Sequence, residues 1–449
     1  MSDDSYQSPW RKPPSASSNR GTTYRPRGAT IRPQYQTTSA GQRQDLNPTP
    51  PERDLFDGLL TDRKVLIRPL DDDADQENVR ISDCKYIGSY NWMESKENKE
   101  TPTILVPGSP AYWLNRSTPY TIPPDRGNHL GDQNGFKMSK AVLLPLFLAV
   151  NKCQSISKQP VFNWSTIDII TDRNNLRKLT RWVEGESSDF RIDLQLFGDK
   201  TLLMSRWSEK YWYSYTGRTF GFSFEKASTD FAPGCKNTTG HHRIISYDLN
   251  GLKMVVRFEV DACVRPPIQL TRTNAPTSDE ALTQSLSSIT LTTLSSLQGS
   301  GEYPIDYPLL VREGGSEVAT ASIIELATRA ERTLETWGYN WKETFPQLFF
   351  SQTAHYYIGV HNRGEFSRVE KRKLKDLAEH ELDSQAAFKK VRTLLEQMRN
   401  LVAEDWKDKR LSLVVKNGVM GLYERSTTEG ILPDVALSFF DAPSEATST

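Results

Sequence analysis

Cysteine is scarce and scattered in this chain. Cys84, Cys153, Cys235 and Cys263 are the only four in 449 residues, and no two stand at C-x-x-C spacing. That spread excludes a dense disulfide framework and leaves no local zinc-ligand pattern. Long apolar runs are also missing. The longest, residues 141–150, has ten residues and contains Pro145, against the ~20 that a membrane helix needs. The first ten residues, MSDDSYQSPW, have no apolar stretch of the kind that forms a secretion signal, and Asp3 and Asp4 are foreign to an acid-poor transit peptide. The expectation is a nuclear or cytoplasmic protein with reduced thiols, neither secreted nor membrane-bound. Net charge is lacking too. Lys plus Arg and Asp plus Glu both number 56, so no overall field draws the protein to a polyanion and any such site must be local.

What is present is enough apolar material, 37% of residues, for one large domain or two to three small ones. Residues 1–60 form a Ser-, Pro- and Arg-rich segment with Trp10, Tyr24 and Tyr35 among its arginines. It has too little apolar surface to offset chain entropy and is expected to be a disordered tail, with weak RNA contact as the alternative. A folded domain is expected over 61–435, beginning with the strand KVLIRPL at Lys64, and a second disordered tail over 436–449. Residues 266–316 are crowded with Ser and Thr and interrupted by Pro266, Pro267, Pro276 and Pro304, which predicts a low-complexity surface insert.

Within the domain, TIDIITDRNNLRKLTRWV (166–183) reads as a strand end leading into a helix. FRIDLQLFG, KTLLMSRW, YWYSYTGRTFGFSFE and GLKMVVRFEVDACV read as strands with apolar residues at about every second position. A charged helix is expected from 370 to about 408, and Asn417-Gly418 marks a hairpin. The histidine pair His241-His242 reads as part of a solvated loop. The cluster WSEKYWYSY (207–215) reads as sheet packing, with base stacking as its alternative.

Three strand-like segments end in acids: GFSFE in Glu225, FEVDAC in Glu259 and Asp261, and IIELA in Glu325. Residues two apart on a strand share a face, so Glu259 and Asp261 would project together ~6–7 Å apart. Carboxylates gathered from three segments repel unless a cation neutralises them, and hard Mg²⁺ or Mn²⁺ ions suit their oxygens. Taken singly, each acid is also readable as part of a solvated strand face.

The order of these motifs resembles the DXO-like decapping nucleases, a family that includes the partner of the nuclear 5′ to 3′ exoribonuclease and is related to the PD-(D/E)xK nucleases. GFSFE fits that family's glycine, hydrophobic, any, hydrophobic, glutamate motif, and EVDAC (259–263) resembles its E-x-D-C/A motif. ELATR (325–329) resembles its E-hydrophobic-K-T segment, with Ala327 where the family has lysine. Upstream, DRNNLRKL (172–179) is similar to its W-R-G-x-L-T-K motif through Arg173, Leu176 and Lys178. Downstream, FPQLFFSQTAHYYIGVHN (345–362) keeps Gln347 and Gly359, while His361 and Asn362 stand where Arg and Asp are usual.

The resemblance, to a divergent fungal-type member, implies an α+β fold of two mixed β-sheets with flanking helices. It implies a two-metal site for Mg²⁺ or Mn²⁺ in which Glu225, Glu259, Asp261 and Glu325 are metal ligands and catalytic residues. Arg173, Lys178, Gln347 and His361 would contact the substrate. The implied partner is an RNA 5′ end, with an exoribonuclease as a second partner and no role for DNA or membrane. The implied activity is metal-dependent hydrolysis at RNA 5′ ends, as decapping or pyrophosphate removal with or without 5′ to 3′ exonuclease action. Ala327 keeps a second function class open, a catalytically impaired paralogue that binds RNA or a protein. Arg329, two residues further along the same strand face, is the nearest substitute for the missing lysine charge.

Overall fold

The central strands carry unbroken apolar runs because both of their faces are covered. In the computed structural model Ile169 faces one core and Ile170 the other. Leu202 and Met204 part from Leu203 in the same way, as do Met254 and Val256 from Val255. Sequence alternation therefore understates these strands: they read as continuous runs, as doubly covered strands do. The structure describes residues 52–68, 77–94, 101–186, 188–266, 308–427, 429–433, 436, 439 and 440, all within the unit Leu46–Thr449.

In chain order the strands are β1 (Leu59–Ile67), β2 (Ile81–Met93), β3 (Thr103–Gly108), β4 (Ala111–Trp113), β5 (Tyr120–Thr121), β6 (Arg126–Leu130), β7 (Ile169–Asp172), β8 (Phe190–Phe197), β9 (Thr201–Arg206) and β10 (Trp212–Thr216). They continue with β11 (Thr229–Asp230), β12 (Thr238–Leu249), β13 (Leu252–Val260), β14 (Ala262–Cys263), β15 (Leu310–Gly315), β16 (Ile323–Ala330), β17 (His355–Asn362), β18 (Glu365–Lys373), β19 (Leu411–Lys416) and β20 (Val419–Arg425). Among the described residues they form a mixed eleven-stranded sheet in the order β1-β20-β19-β8-β9-β7-β13-β12-β2-β3-β15, a seven-stranded sheet in the order β11-β4-β14-β16-β17-β18-β5, and the ribbon β10-β6. The helices are α1 (Gln133–Lys137), α2 (Leu144–Ser157), α3 (Arg173–Val183), α4 (Gly221–Ser228), α5 (Glu331–Trp337), α6 (Trp341–Ser351), α7 (Ala378–Asp383) and α8 (Gln385–Asp405). Helix α2 supplies one core, and α3, α6 and α8 supply the other. The expected α+β class with two mixed sheets is what the chain adopts. No described helix is long and apolar enough to cross a membrane.

Several expectations need correction. GFSFE is not a strand but most of α4. The helical turn brings Phe220 and Phe224, four apart, onto the small-sheet core and leaves Phe222 exposed against His129, with ring centroids 4.2 Å apart. The charged segment from 370 remains in β18 through Lys373, and its main helix begins only at Gln385. His241 and His242 are buried on β12, not in a solvated loop.

The insert ends earlier than expected. Leu310–Gly315 is strand β15, paired in parallel with β3, and Leu309 and Val311 are buried. The order expected at Lys64 starts by Leu59, with Leu55 already buried. At the other end Ala436 is buried and Phe439 stacks on Phe147 at 5.5 Å, so the expected tail begins too early. Residues 1–51, 267–307 and 441–449, on which the rest of the tail and insert readings fall, lie outside the described residues.

Candidate active site

Two chain crossings build the site. The first is β7 into α3: β7 lies parallel to β13, with Asp172 opposite Arg257, so Arg173 opens α3 beside the carboxyl end of β13. In α/β sheets the crevice outside such strand ends is where ligands bind. The second is β13 into β14, which carries the chain from the large sheet into the small one. Glu259 is the penultimate residue of β13, and Asp261 stands at the joint. Strand β14 pairs antiparallel with β16, Ala262 opposite Ile324, and the same register brings Asp261 alongside Glu325. Accordingly the Leu326 N–H donates to Asp261 Oδ2 at 2.7 Å.

Glu225 reaches the same cleft from α4 by a route the strand reading did not foresee. Its carboxyl is pushed up to about 8 by burial and then by the charges of Glu259 and Glu325. Asp261 is raised well above the ordinary carboxylate range by burial, Glu325 and Glu225, with the Leu326 N–H opposing. Glu259 is raised by the dense protein around it, against the pull of Arg173 and Arg206. It nonetheless opens to solvent, so it lies on a cleft wall that water reaches. Burial first, and the neighbouring acid charges second, therefore disfavour the ionised forms of Glu225, Glu259 and Asp261.

Glu325 is the tethered member. Arg173 Nη1 meets its Oε2 at 2.8 Å, and Gln347 Nε2 from α6 donates to its Oε1. Two expected substrate contacts thus hold an acid in this state. Lys178 diverges from Arg173. Four residues, not five, bring helical side chains together, so Arg177 joins Arg173 while Lys178 packs over the Phe190 ring, 5.7 Å away. Burial and then Arg206 push the Lys178 amine down to about 7, with Asp132 and Asp172 opposing. His361 also lies apart. It pairs with Ala330 where Tyr356 pairs with Glu325, five residues or ~17 Å further along β17. It packs between Phe220 and Phe366 at 4.6 and 4.9 Å, and burial lowers its pKa.

Sequence reasoning missed Gln133, whose Nε2 lies 3.5 Å from Glu259 Oε1, and Arg206, which bears on both Glu259 and Lys178. Neither adjoins a motif. Glu325, Ala327 and Arg329 alternate along β16 and all line one pocket of about 250 Å³, so the shared strand face expected for Ala327 and Arg329 exists.

The donor chemistry fits a hard divalent cation, since carboxyls raised by their surroundings and by one another's charge would be relieved by one. The present side-chain placement is not a finished ligand set. Among the described residues no three His, Cys, Asp or Glu groups stand close enough to hold a metal ion.

The comparisons with known proteins agree at the level of fold. Rai1 of Scheffersomyces stipitis, solved in complex with (3′-NADP)⁺ and calcium ion, superposes with a TM-score of 0.53 at 12% identity, covering 83% of this chain and 99% of that one. Candida albicans Rai1 in complex with pU5-Mn²⁺ gives 0.49 at 12% identity, covering 81% and 96%. K. lactis Dxo1 in complex with manganese gives 0.42 at 9%, covering 80% and 93%. The chain has the fold of S. stipitis Rai1. By sequence it belongs to the family described as Domain of unknown function (DUF8563), whose model matches residues 66–435. No curated protein matches it.

Proposed function

We propose that this chain is a divalent-metal-dependent hydrolase of RNA 5′ ends, acting by decapping or pyrophosphate removal in mRNA 5′-end quality control. The observation that carries this reading is the convergence of Glu225, Glu259, Asp261 and Glu325 from α4, β13, the β13–β14 joint and β16 on one cleft, where the carboxyls of Glu225, Glu259 and Asp261 are raised. A protein with no cation to bind gains nothing from that repulsion. The fold supports it, because the S. stipitis relative was solved with a calcium ion and a dinucleotide.

Asp261, Glu225 and Glu259 would hold the cation, with Glu325 joining them on leaving Arg173. A bound Mg²⁺ or Mn²⁺ would supply positive charge at the attacked phosphorus. Arg173, released from Glu325, presents its planar fork to a phosphate. Gln347 then retains a donor toward the same oxygen-rich centre. Asp261, fixed by the Leu326 N–H, keeps its orientation throughout. Nuclear or cytoplasmic residence and an exoribonuclease partner belong to the same proposal.

A second reading, an RNA- or protein-binding module without turnover, is favoured by the closed Arg173–Glu325 pair and by Ala327. The deciding experiment incubates the protein with capped, 5′-triphosphate and 5′-monophosphate RNAs in Mn²⁺ and analyses the products. The hydrolase reading requires product release that Asp261→Asn abolishes. RNA binding without products, unchanged in Asp261→Asn, would establish the module.

A further inference from the structure

A smaller cavity of about 120 Å³ opens between α1, β8, β9 and β20, and neither the four cleft acids nor any residue of the motifs lines it. Arg53, Lys140, Arg206 and Arg425 face it together with two carboxylates, Asp193 and Glu429. Both acids are already engaged: Lys140 Nζ meets Glu429 Oε1 at 3.1 Å, and Arg191 Nε meets Asp193 Oδ1 at 2.6 Å. Arg425 reaches only Asp193 Oδ2, at 3.8 Å, beyond hydrogen-bond range, although its side chain is 16% exposed. Arg53 has no ion pair among the described residues. Its guanidinium lies over the Trp207 and Tyr211 rings, 4.5 and 4.7 Å from their centroids, and its Nε is buried without a hydrogen bond. Arg206 Nε, 3.2 Å from Asp132 Oδ2, is buried without one as well. Burial lowers the Arg425 pKa, Asp193 opposes it, and Arg191 and Arg410 lower it further. Like charges therefore crowd this cavity with the sign opposite to that of the carboxylate cleft. Buried Ser205 and exposed Ser139 add hydroxyls to its lining.

We infer that this cavity is a phosphate site, in which the guanidinium forks of Arg53 and Arg425 hold one phosphate group and Arg206, Ser139 and Ser205 complete its shell. Guanidinium forks match phosphate oxygens in pairs. The space suits one tetrahedral oxyanion with a water or two and leaves any attached group outside. Arg53 precedes β1 and Arg425 ends β20, so the bound anion ties the start and end of the described strands to α1 and β9. Because only the folded chain assembles these groups, phosphate stabilises it by mass action. The site needs neither a divalent cation nor RNA and so stands apart from the proposed hydrolase.

The test follows calorimetric binding of inorganic phosphate and thermal unfolding, at fixed ionic strength with chloride as the balancing anion and without divalent metal. Wild type should bind with a Kd of about 1 mM or lower, the scale that two charged hydrogen bonds provide. Phosphate at about ten times Kd should raise Tm by about 2 °C, with a saturating dependence. Arg53→Gln and Arg425→Gln should each weaken binding about tenfold or more. Arg425→Lys, which keeps the charge and loses the fork, should weaken it less. Ser139→Glu brings a carboxylate to the cavity from an exposed position, and should remove phosphate binding without lowering Tm in chloride. AMP separates two sources of the group. AMP binding that Ser139→Glu removes assigns the cavity to a phosphate ester, and phosphate binding without AMP binding assigns it to the free ion. Absence of saturable phosphate binding in wild type would overturn the site. So would a stabilisation that rises linearly with phosphate and is equal in wild type, Arg425→Gln and Ser139→Glu, which is general ion exclusion. Binding that survives those two variants and is lost in Arg173→Gln would place the anion in the carboxylate cleft instead.

Discussion

Arg173 and Glu325, 152 residues apart in sequence, meet at 2.8 Å with each side chain only 11% exposed. Among the described residues Arg173 is the one cation that forms an ion pair with the acid cluster, because the α3 start and the third residue of β16 face each other across the joint between the two sheets. The pair thus balances charge in the metal-free protein and must open for Glu325 to reach a cation.

Breaking the pair from one side should be costly. Arg173→Met leaves Glu325 among three other acids and should lower stability at pH 7 by about 3 kcal/mol, as loss of one partner of a buried pair does. Adding Glu325→Gln should restore more than half of that, because the orphaned charge is gone. Denaturant unfolding of the two single variants and the double variant checks this. Equal losses in Arg173→Met and the double variant would mean that Arg173 acts through packing alone.

Two sets of buried groups set opposite pH dependences. Glu225 has a native pKa near 8 against an ordinary value of 4.5, so between those values the native state binds more protons than the unfolded one and stability falls as pH rises. A saturating divalent cation should reverse the fall above pH 7 and release protons on binding, measurable by calorimetry in buffers of different ionisation enthalpy. Glu225→Gln should flatten the pH slope. His241 works the other way. Burial, then Arg243, drives it to about 3, while its Nδ1–H donates to Asn91 Oδ1 at 2.7 Å. Its contribution is complete above its ordinary 6.5 and is lost as pH falls toward 3, so His241→Asn should reduce acid lability. A Tm that is flat from pH 5 to 8.5 in metal-free wild type would contradict the Glu225 assignment.

How much was legible in the sequence follows from how local each cause is. Asn417-Gly418 forms the expected two-residue hairpin, both residues with positive φ, 51° and 78°, because that geometry depends on those two residues alone. The pairing of Asp261 with Glu325 was foreseeable as proximity, since both acids end strand-like runs. The helical state of GFSFE was not. Five residues of alternating pattern fit a strand equally well, and what decides is the pocket for Phe224 between Trp113 and Phe366, at 6.1 and 4.9 Å. The burial of His241 likewise depends on Asn91 in β2, 150 residues away. Strand β15 was hidden for a similar reason, as LVREGG has little apolar character of its own and takes its place from β3.

That strand makes a direct stability prediction. Replacing residues 308–316 with a flexible linker should abolish the β3 edge pairing and expose the sites of Leu309 and Val311, 3% and 2% exposed in the native state. The loss should be several kcal/mol, on the scale of ~2 kcal/mol for each buried aliphatic side chain removed. A smaller change tests the same contact. Gly315 has φ +76°, and a Cβ there would lie 2.5 Å from the Gly108 carbonyl carbon, so Gly315→Ala should lower Tm measurably. Wild-type Tm in both variants would return β15 to the insert.

The last prediction concerns Ala327, which shares its β16 face with Glu325 and Arg329. If the cleft hydrolyses RNA 5′ ends and the missing lysine limits it, Ala327→Lys should raise the Mn²⁺-dependent rate on a 5′-triphosphate RNA by about 10²-fold, the usual worth of one preorganised charge. That corresponds to ~2.7 kcal/mol of barrier. The new ammonium would stand two residues from Glu325 on the same face, where Arg329 stands four away, so the two cations are not equivalent in reach. If Arg329 already supplies the charge, Ala327→Lys should change little and Arg329→Gln should be the damaging substitution. The two outcomes separate in single-turnover rates, since a role limited to binding moves the substrate concentration needed for half-saturation and leaves the rate at saturation alone. No hydrolysis in wild type, in Ala327→Lys or with either Mg²⁺ or Mn²⁺ would leave the carboxylate cleft without a catalytic role.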